Sequence, residues 1–275
     1  MSQPIPDFSL AGRVAIITGG MGILGQRFVR GLVTQGADVA VFDVAASATA
    51  AAETLPALAQ ESGRRIEFFT CDVSDPASVQ GAVSAAVARL GRIDVLMNNA
   101  ATKTDDLTAL FESFEDYTLT QWRKVMAVNL DGMFLMAQAV GKQMIQQGQG
   151  GSVIQTASIY GSLAPDMRIY EGSHYLGREI SSPAVYSASK AGVIGLTKYL
   201  AAYWAPHRIR VNTLTPGGVA SGQNETFAQK YSARIPLRRM AEPDEMVGAA
   251  VFLASNASSY VTGHNLIVDG GLHAW

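Results

Sequence analysis

The sequence predicts an α/β protein in which one doubly wound domain spans residues 1–275, with a seven-stranded parallel sheet and helices on both faces. Three observations carry that expectation. Seven short runs rich in β-branched residues alternate with longer, alanine-rich segments of helical period, the pattern of repeated βαβ units. The runs are apolar on both faces, as strands buried between two helix layers must be. No linker, repeat or low-complexity block interrupts the alternation, and 275 residues with 48% hydrophobic and 16% charged content suffice for one large core.

In chain order the strands are "RVAIIT" (13–18), "ADVAVFD" (37–43), "RIEFFTCDV" (65–73), "IDVLMNN" (93–99), "GSVIQTAS" (151–158), "IRVNTLTP" (209–216) and "NLIVDGG" (265–271). Right-handed crossovers between them place helices on each face. The alanine-biased stretch 45–52 starts an exposed helix, and "ETLPALAQESGRR" continues as a solvated helix with its turn. Methionines in "MAVNLDGMFLMAQ" fall at helical spacing and read as packing residues. Two segments escape the alternation, 159–182 and 216–239. Both follow strands, and in an open α/β sheet ligands bind beyond the carboxyl ends of strands.

A formal charge of −2 without any basic run gives no footprint for nucleic acid or an anionic membrane surface. The lone Cys71 forms no intrachain disulfide, and "MSQPIPDFSLAGR" lacks the pattern of a secretory leader, so a reducing cytoplasm is expected. Apolar stretches such as "VAIITGGMGIL" fall short of the roughly 20 residues a membrane-spanning helix needs. His174, His207, His264 and His273 lack metal-ligand spacing, and no metal is expected.

The first strand runs into "TGGMGILG" (18–25), where Gly19, Gly22 and Gly25 allow a tight turn that brings backbone N–H groups against a pyrophosphate at a helix N-terminus. The second strand ends at Asp43, eighteen residues after Gly25, where a carboxylate accepts hydrogen bonds from adenosine ribose hydroxyls. Asp43 would repel a 2′-phosphate and no Arg or Lys stands in "TGGMGILG" or "DVAASA", so NAD is expected over NADP. In "PAVYSASK" (183–190), Tyr186 and Lys190 stand four apart and share a helix face.

From "RVAIITGG" to "VTGHNLIVDGG" the chain resembles the short-chain dehydrogenases/reductases, a Rossmann-type family. "NNA" (98–100), "MAVNLDGMF" (126–134), "TAS" (156–158), "YSASK" (186–190) and "VNTLTPGGVAS" (211–221) carry the resemblance in family order. It implies a catalytic set of Asn129, Ser158, Tyr186 and Lys190. It further implies cofactor contacts from Gly19, Gly22, Ile23, Leu24, Gly25 and Asp43, and from Asp72 and Val73 near the adenine. The resemblance also implies cofactor contacts from Asn99 and Ala100, after the central strand that Asn98 supports together with the cofactor, and from Pro216, Gly217, Val219 and Ser221, which line the nicotinamide. Two departures stand out: Ile23 where the family usually has glycine, and Ser221 where it commonly has threonine. By the same resemblance Lys190 holds the nicotinamide ribose, Asn129 positions a proton-relaying water, and the chain assembles as a homotetramer through the helices after Asp131 and Ser187.

A free tyrosine titrates near pH 10, and a neighbouring ammonium is expected to draw Tyr186 towards working pH. Tyr186 then exchanges a proton with the substrate oxygen as hydride moves to or from the nicotinamide, while Ser158 holds that oxygen. Tyr186 lies 28 positions after Ser158, so an insertion, "IYGSLAPDMRIYEGSHYLGREISSP", arches beside the site. Arg168, Tyr170, Glu171, His174 and Arg178 make it polar, which suits a sugar or sugar acid whose carboxylate meets Arg168 or Arg178. "APDMRIYEG" and "VDGGLHAW" resemble members of the family associated with sugar and sugar-acid metabolism. The alternatives are a 3-oxoacyl or other lipophilic ketone reductase and a noncatalytic dinucleotide-binding protein. Trp275 is a further candidate, reaching a neighbouring active site.

Overall fold

The computed structural model describes residues 7–103, 107–175 and 177–275; residues 1–6 of the N-terminal stretch, residues 104–106 and Leu176 of the first long segment lie outside the described residues. The strands are β1 (Val14–Thr18), β2 (Asp38–Asp43), β3 (Ile66–Thr70), β4 (Val95–Asn98), β5 (Gly151–Thr156), β6 (His174–Tyr175), β7 (Arg178–Glu179), β8 (Ile209–Pro216) and β9 (Asn265–Val268). Seven of them form a parallel sheet in the order β3-β2-β1-β4-β5-β8-β9, and β6 and β7 pair as a separate antiparallel ribbon.

The helices are α1 (Ile23–Thr34), α2 (Ala48–Ser62), α3 (Pro76–Leu90), α4 (Leu107–Leu110), α5 (Leu119–Met126), α6 (Gly132–Gln147), α7 (Ala184–Trp204), α8 (Glu225–Ala233) and α9 (Val247–Ala254). The period-two alternation of each strand sorts its side chains between two cores. Ile16, Phe42, Leu96, Val153 and Val211 meet α3, α6 and α7 on one face. Ala15, Ile17, Val41, Met97, Ile154 and Leu214 meet α1, α2 and α9 on the other. Both faces are covered, which is why the strands carry no polar stripe. Each fully buried Ile, Leu or Phe contributes about 1.5–3 kcal/mol by leaving water. Met133, Met136 and Met144 are buried, as their helical spacing predicts.

After β3 the chain crosses back over β2 and β1 to place β4 beside β1, so consecutive connections leave the sheet on opposite sides of the β1/β4 junction. That reversal opens a crevice at the strands' carboxyl ends. The third strand is shorter than its sequence suggests. It ends at Thr70, because Asp72 turns the chain by accepting from the Ser74 N–H and hydroxyl, and Asp75 then caps α3 from the N–H groups of Ala77 and Ser78. The two long segments also contain more structure than was read from them. The first holds two short helical turns and the β6/β7 ribbon, and the second holds α8. They pack on each other through a third, smaller core of Ile159, Ile169, Tyr170, Tyr231, Ile235 and Leu272.

Candidate active site

β1 delivers the chain into the glycine-rich turn at the crevice. Gly19 has a φ of +61°, and a Cβ there would lie 2.9 Å from the Cα of Ala100. A Cβ on Gly25 would lie 2.0 Å from the Gly19 carbonyl oxygen, so the turn closes only with glycine at that position. Gly22 donates its N–H to the Gly19 carbonyl at 3.1 Å, and no side chain caps the first turn of α1. The N–H groups of that turn therefore suit an anion. Ile23 is the first residue of α1, where backbone angles are ordinary, so the departure from glycine costs no strain; its side chain stands half exposed.

Asp43, at the end of β2, accepts from the Met21 N–H at 2.9 Å, the Val44 N–H at 2.8 Å and the Ser47 hydroxyl at 3.1 Å. These bonds tie the carboxylate to the turn it faces. Between the turn (Gly19, Gly22, Ile23, Leu24), Asp43 and the residues after β4 (Asn99, Ala100) lies a cavity of about 280 Å³. A cradle kept open by missing Cβ atoms, an uncapped helix start and a carboxylate beyond it fit the phosphates and ribose of a dinucleotide. Asp72 and Val73 follow β3, outside the walls of this cavity. Asn98 is wholly buried: its amide nitrogen donates to the Met133 carbonyl and to Gln155 Oε1, each at 2.9 Å, and its oxygen accepts from the Thr18 hydroxyl at 3.1 Å. Thr18 Oγ1 in turn accepts from the N–H groups of Asn99 and Ala100 at 2.8 and 3.0 Å. One buried network thus fixes β1 against β4 below the cavity.

The chemistry-bearing side chains come from three elements. Asn129 lies in a five-residue π-type turn, Ala127–Asp131, between α5 and α6, where the Gly132 N–H reaches back to the Ala127 carbonyl. Such widened turns recur at functional sites. Its Oδ1 accepts from the Thr102 N–H at 2.8 Å, and its amide nitrogen lies 3.5 Å from the Ser189 hydroxyl. Ser158 follows β5, accepts from the Tyr160 N–H at 3.3 Å and hydrogen-bonds the Tyr186 phenol. Tyr186 and Lys190 lie one turn apart on α7, with the ammonium 5.9 Å from the ring centroid. Lys190 is buried, and its Nζ donates to the Thr156 carbonyl at 2.9 Å.

The electrostatics here depart from the sequence expectation. Burial pushes the Tyr186 phenol above its ordinary value, and the bond from Ser158 offsets this only in part. Burial also lowers Lys190 from 10.5 to about 8. The ammonium that was expected to draw the phenol down is directed at a carbonyl and is itself strained towards neutrality, so desolvation outweighs the pairing of the two groups.

Past β8, the Gly217 N–H bonds the Val268 carbonyl at 2.9 Å, and Val219 pairs with Ala241. The Ser221 hydroxyl accepts from Gln223 at 2.9 Å. Gly218 must lack a side chain, since a Cβ would lie 2.2 Å from the Tyr231 ring. In the insertion, Tyr170 is buried, stacks on Phe227 at 5.3 Å and lies 3.4 Å from the Tyr160 hydroxyl. Arg168, with its side chain 81% exposed, makes a bidentate pair with Asp166 at 2.9 and 2.8 Å, which holds that carboxyl down at about 2. Arg178 lies 3.6 Å from Glu112 and Glu171 lies 3.8 Å from Lys230, while His174 is exposed on β6. The Trp275 indole donates to the Arg234 carbonyl of its own chain at 2.9 Å. Sequence reasoning missed Tyr160 and Tyr231, whose positions follow from tertiary packing and leave no spacing signal.

Comparison with known proteins shows what the chain is similar to. The family model described as enoyl-(acyl carrier protein) reductase matches residues 21–273. The chain is 38% identical to a D-threitol dehydrogenase of Mycolicibacterium smegmatis, over 96% of this chain and 94% of the relative. It is 36% identical to a ribulose-forming D-arabinitol 2-dehydrogenase of Scheffersomyces stipitis, over 98% and 97%. Among solved structures, a gluconate 5-dehydrogenase of Burkholderia cenocepacia in complex with NADP and tartrate superposes with a TM-score of 0.84 at 34% identity, over 98% of this chain and 99% of that one.

Proposed function

This chain belongs to the short-chain dehydrogenase/reductase family, and from that premise we propose that it is an NAD-dependent oxidoreductase interconverting a secondary or anomeric alcohol of a sugar, sugar alcohol or sugar acid with its carbonyl. The observation that carries this reading is the meeting of Ser158, Tyr186 and Lys190 at the carboxyl end of β5, in the same sheet as the glycine-rich turn after β1 and two strands from it. The names of the relatives support the polyhydroxylated substrate.

When bound, the nicotinamide ring accepts or returns the hydride. The backbone of Gly19 and Gly22–Gly25 would hold the phosphates, Asp43 the adenosine ribose, Asp72 and Val73 the adenine side, and Lys190 the second ribose. Asn99, Ala100, Pro216, Gly217, Val219 and Ser221 would line the remainder. Tyr186 takes the hydroxyl proton in oxidation and gives it back in reduction. Ser158, already bonded to the phenol, holds the same oxygen, and Asn129 would position a water that relays protons towards solvent. Because the phenol titrates above its ordinary value, Tyr186 is protonated at neutral pH, ready to donate, and oxidation speeds up as pH rises.

NAD is favoured over NADP because Asp43 would repel a 2′-phosphate and no Arg or Lys stands in "TGGMGILG" or "DVAASA" or among the described residues that line the cavity with it. Assembly as a homotetramer is supported by α6 and α7, whose outer faces expose Phe134, Tyr199 and Tyr203 around a groove of about 410 Å³. No helix among the described residues is long and apolar enough to cross a membrane, and cytoplasmic residence is part of the proposal. The test is a screen of polyols, sugars, sugar acids and acyl ketones with NAD⁺ and NADH at the nicotinamide absorbance band. Turnover of polyhydroxylated substrates is expected; turnover of lipophilic ketones alone would overturn the substrate assignment.

A further inference from the structure

Resting on that reading and narrowing its substrate, we propose that the site takes a neutral polyol in preference to a sugar carboxylate, and that Tyr160 is a specificity residue for a substrate hydroxyl beside the reacting carbon.

The cations of the two long segments are already committed. Among the described residues, Arg168 and Arg234 both pair with Asp166, Arg178 with Glu112, Lys230 with Glu171 and Arg239 with Glu245, while Arg238 donates to the Ala233 carbonyl. Lys190, the ammonium nearest the base, is bonded to the Thr156 carbonyl. Lys103, exposed one residue beyond Thr102, stands outside these pairs, and Arg168 and Arg234 share one carboxylate, but among the described residues no guanidinium is placed against Tyr186 itself. A carboxylate buried beside the base would therefore lack a counter-charge in contact with it, which is strongly unfavourable.

What converges on the base instead is a set of phenols. Tyr170 is near enough to Tyr186 that charge on one raises the other, and Tyr231 stands in the same relation to both. Tyr160 follows Ser158 by two residues, its N–H bonds the Ser158 hydroxyl, and its own hydroxyl lies 3.4 Å from that of Tyr170, which also bonds Ser182. That 3.4 Å contact is long for two hydroxyls, leaving both with hydrogen-bonding capacity to spare. Burial raises the pKa of Tyr160, Tyr170 and Tyr231 alike, so all three remain neutral donors and acceptors at any working pH. Uncharged hydroxyls match a chain of uncharged hydroxyls. The stack of Tyr170 on Phe227 and the Lys230 bonds to the Arg168 and Glu171 carbonyls, at 3.2 and 2.6 Å, hold this wall in place.

The experiment compares kcat/KM for a pentitol, the pentonate of matching configuration and 2-propanol, in the wild type, Tyr160→Phe and Tyr170→Phe. NADH affinity by fluorescence titration and melting temperature check that each variant binds and folds. The wild type is expected to prefer the pentitol to the pentonate by about 100-fold. Tyr160→Phe is expected to lower kcat/KM for the pentitol about tenfold, the worth of one hydrogen bond, and to leave 2-propanol and NADH affinity within about twofold. A pentonate used as well as the pentitol overturns the neutral-polyol assignment. If Tyr160→Phe does not separate the pentitol from 2-propanol, whatever Tyr170→Phe does, the role of Tyr160 is overturned. Turnover of none of the three alcohols would overturn the underlying oxidoreductase reading instead.

Discussion

Replacing Lys190 by methionine is expected to stabilise the fold, or leave it unchanged, while removing most turnover. Burial lowers this ammonium from 10.5 to about 8, a displacement that costs the native state about 3 kcal/mol near neutral pH. Methionine fills a similar volume without that cost. Against the gain stands the Thr156 carbonyl, which loses its 2.9 Å partner at a penalty of about 1–3 kcal/mol. The net is between zero and about 2 kcal/mol in favour of the variant, or up to about 5 °C in melting temperature for a chain this long. The sign with pH follows from the direction of the shift. A depressed lysine leaves the native state short of protons relative to the unfolded chain, so wild-type stability rises as pH climbs from about 8 towards 10.5. The advantage of Lys190→Met is therefore largest at pH 7 and fades by pH 10. Thermal melts at pH 7, 8, 9 and 10, run with steady-state turnover at each pH, measure both halves. A stability difference that is flat across this range would refute the desolvation argument, and near-native turnover would refute a functional role for the lysine.

Three further outcomes follow from the same geometry. Asp43→Ala should narrow the ratio of kcat/KM between NAD and NADP about tenfold or more by removing a charge that opposes the 2′-phosphate, although it also frees the Met21 N–H; parallel kinetics with both cofactors measure this. Gly25→Ala should abolish dinucleotide binding in a fluorescence titration, since the added methyl carbon would stand 2.0 Å from the Gly19 carbonyl oxygen. Light scattering should give a homotetramer, and charging the α6/α7 face by Tyr203→Glu should shift it to smaller species; a wild-type monomer at working concentration would end the assembly proposal.

The sheet was legible because its strands are buried on both faces and read as unbroken apolar runs between glycine-marked turns. The end of β3 was less so, since Cys71 and Val73 extend the apolar run of "RIEFFTCDV" past Thr70, whereas Asp72 between them turns the chain by accepting from Ser74. In the second long segment, α8 was overlooked although Asn224 carries a readable cap, its side chain accepting from the Phe227 N–H. Tyr186 and Lys190 share a face of α7 as their four-residue spacing predicts, yet their titration departs from the expectation. Spacing puts the groups together, whereas desolvation is a property of everything packed around them. Arg168 and Arg178 looked like an anion site because sequence displays charges without their partners; Asp166 and Glu112 supply those partners in the fold.

The central claim is that Tyr186 moves the proton while a hydride leaves or joins the substrate carbon. Its most direct test is a single-turnover comparison of wild type and Tyr186→Phe using a polyol deuterated at the reacting carbon, with dinucleotide affinity measured separately. Deletion of one oxygen should leave affinity within about twofold and slow the transfer by roughly 10²- to 10⁴-fold. Wild type should place the deuterium on the reduced nicotinamide. A Tyr186→Phe enzyme that transfers deuterium at a near-native rate would contradict the account.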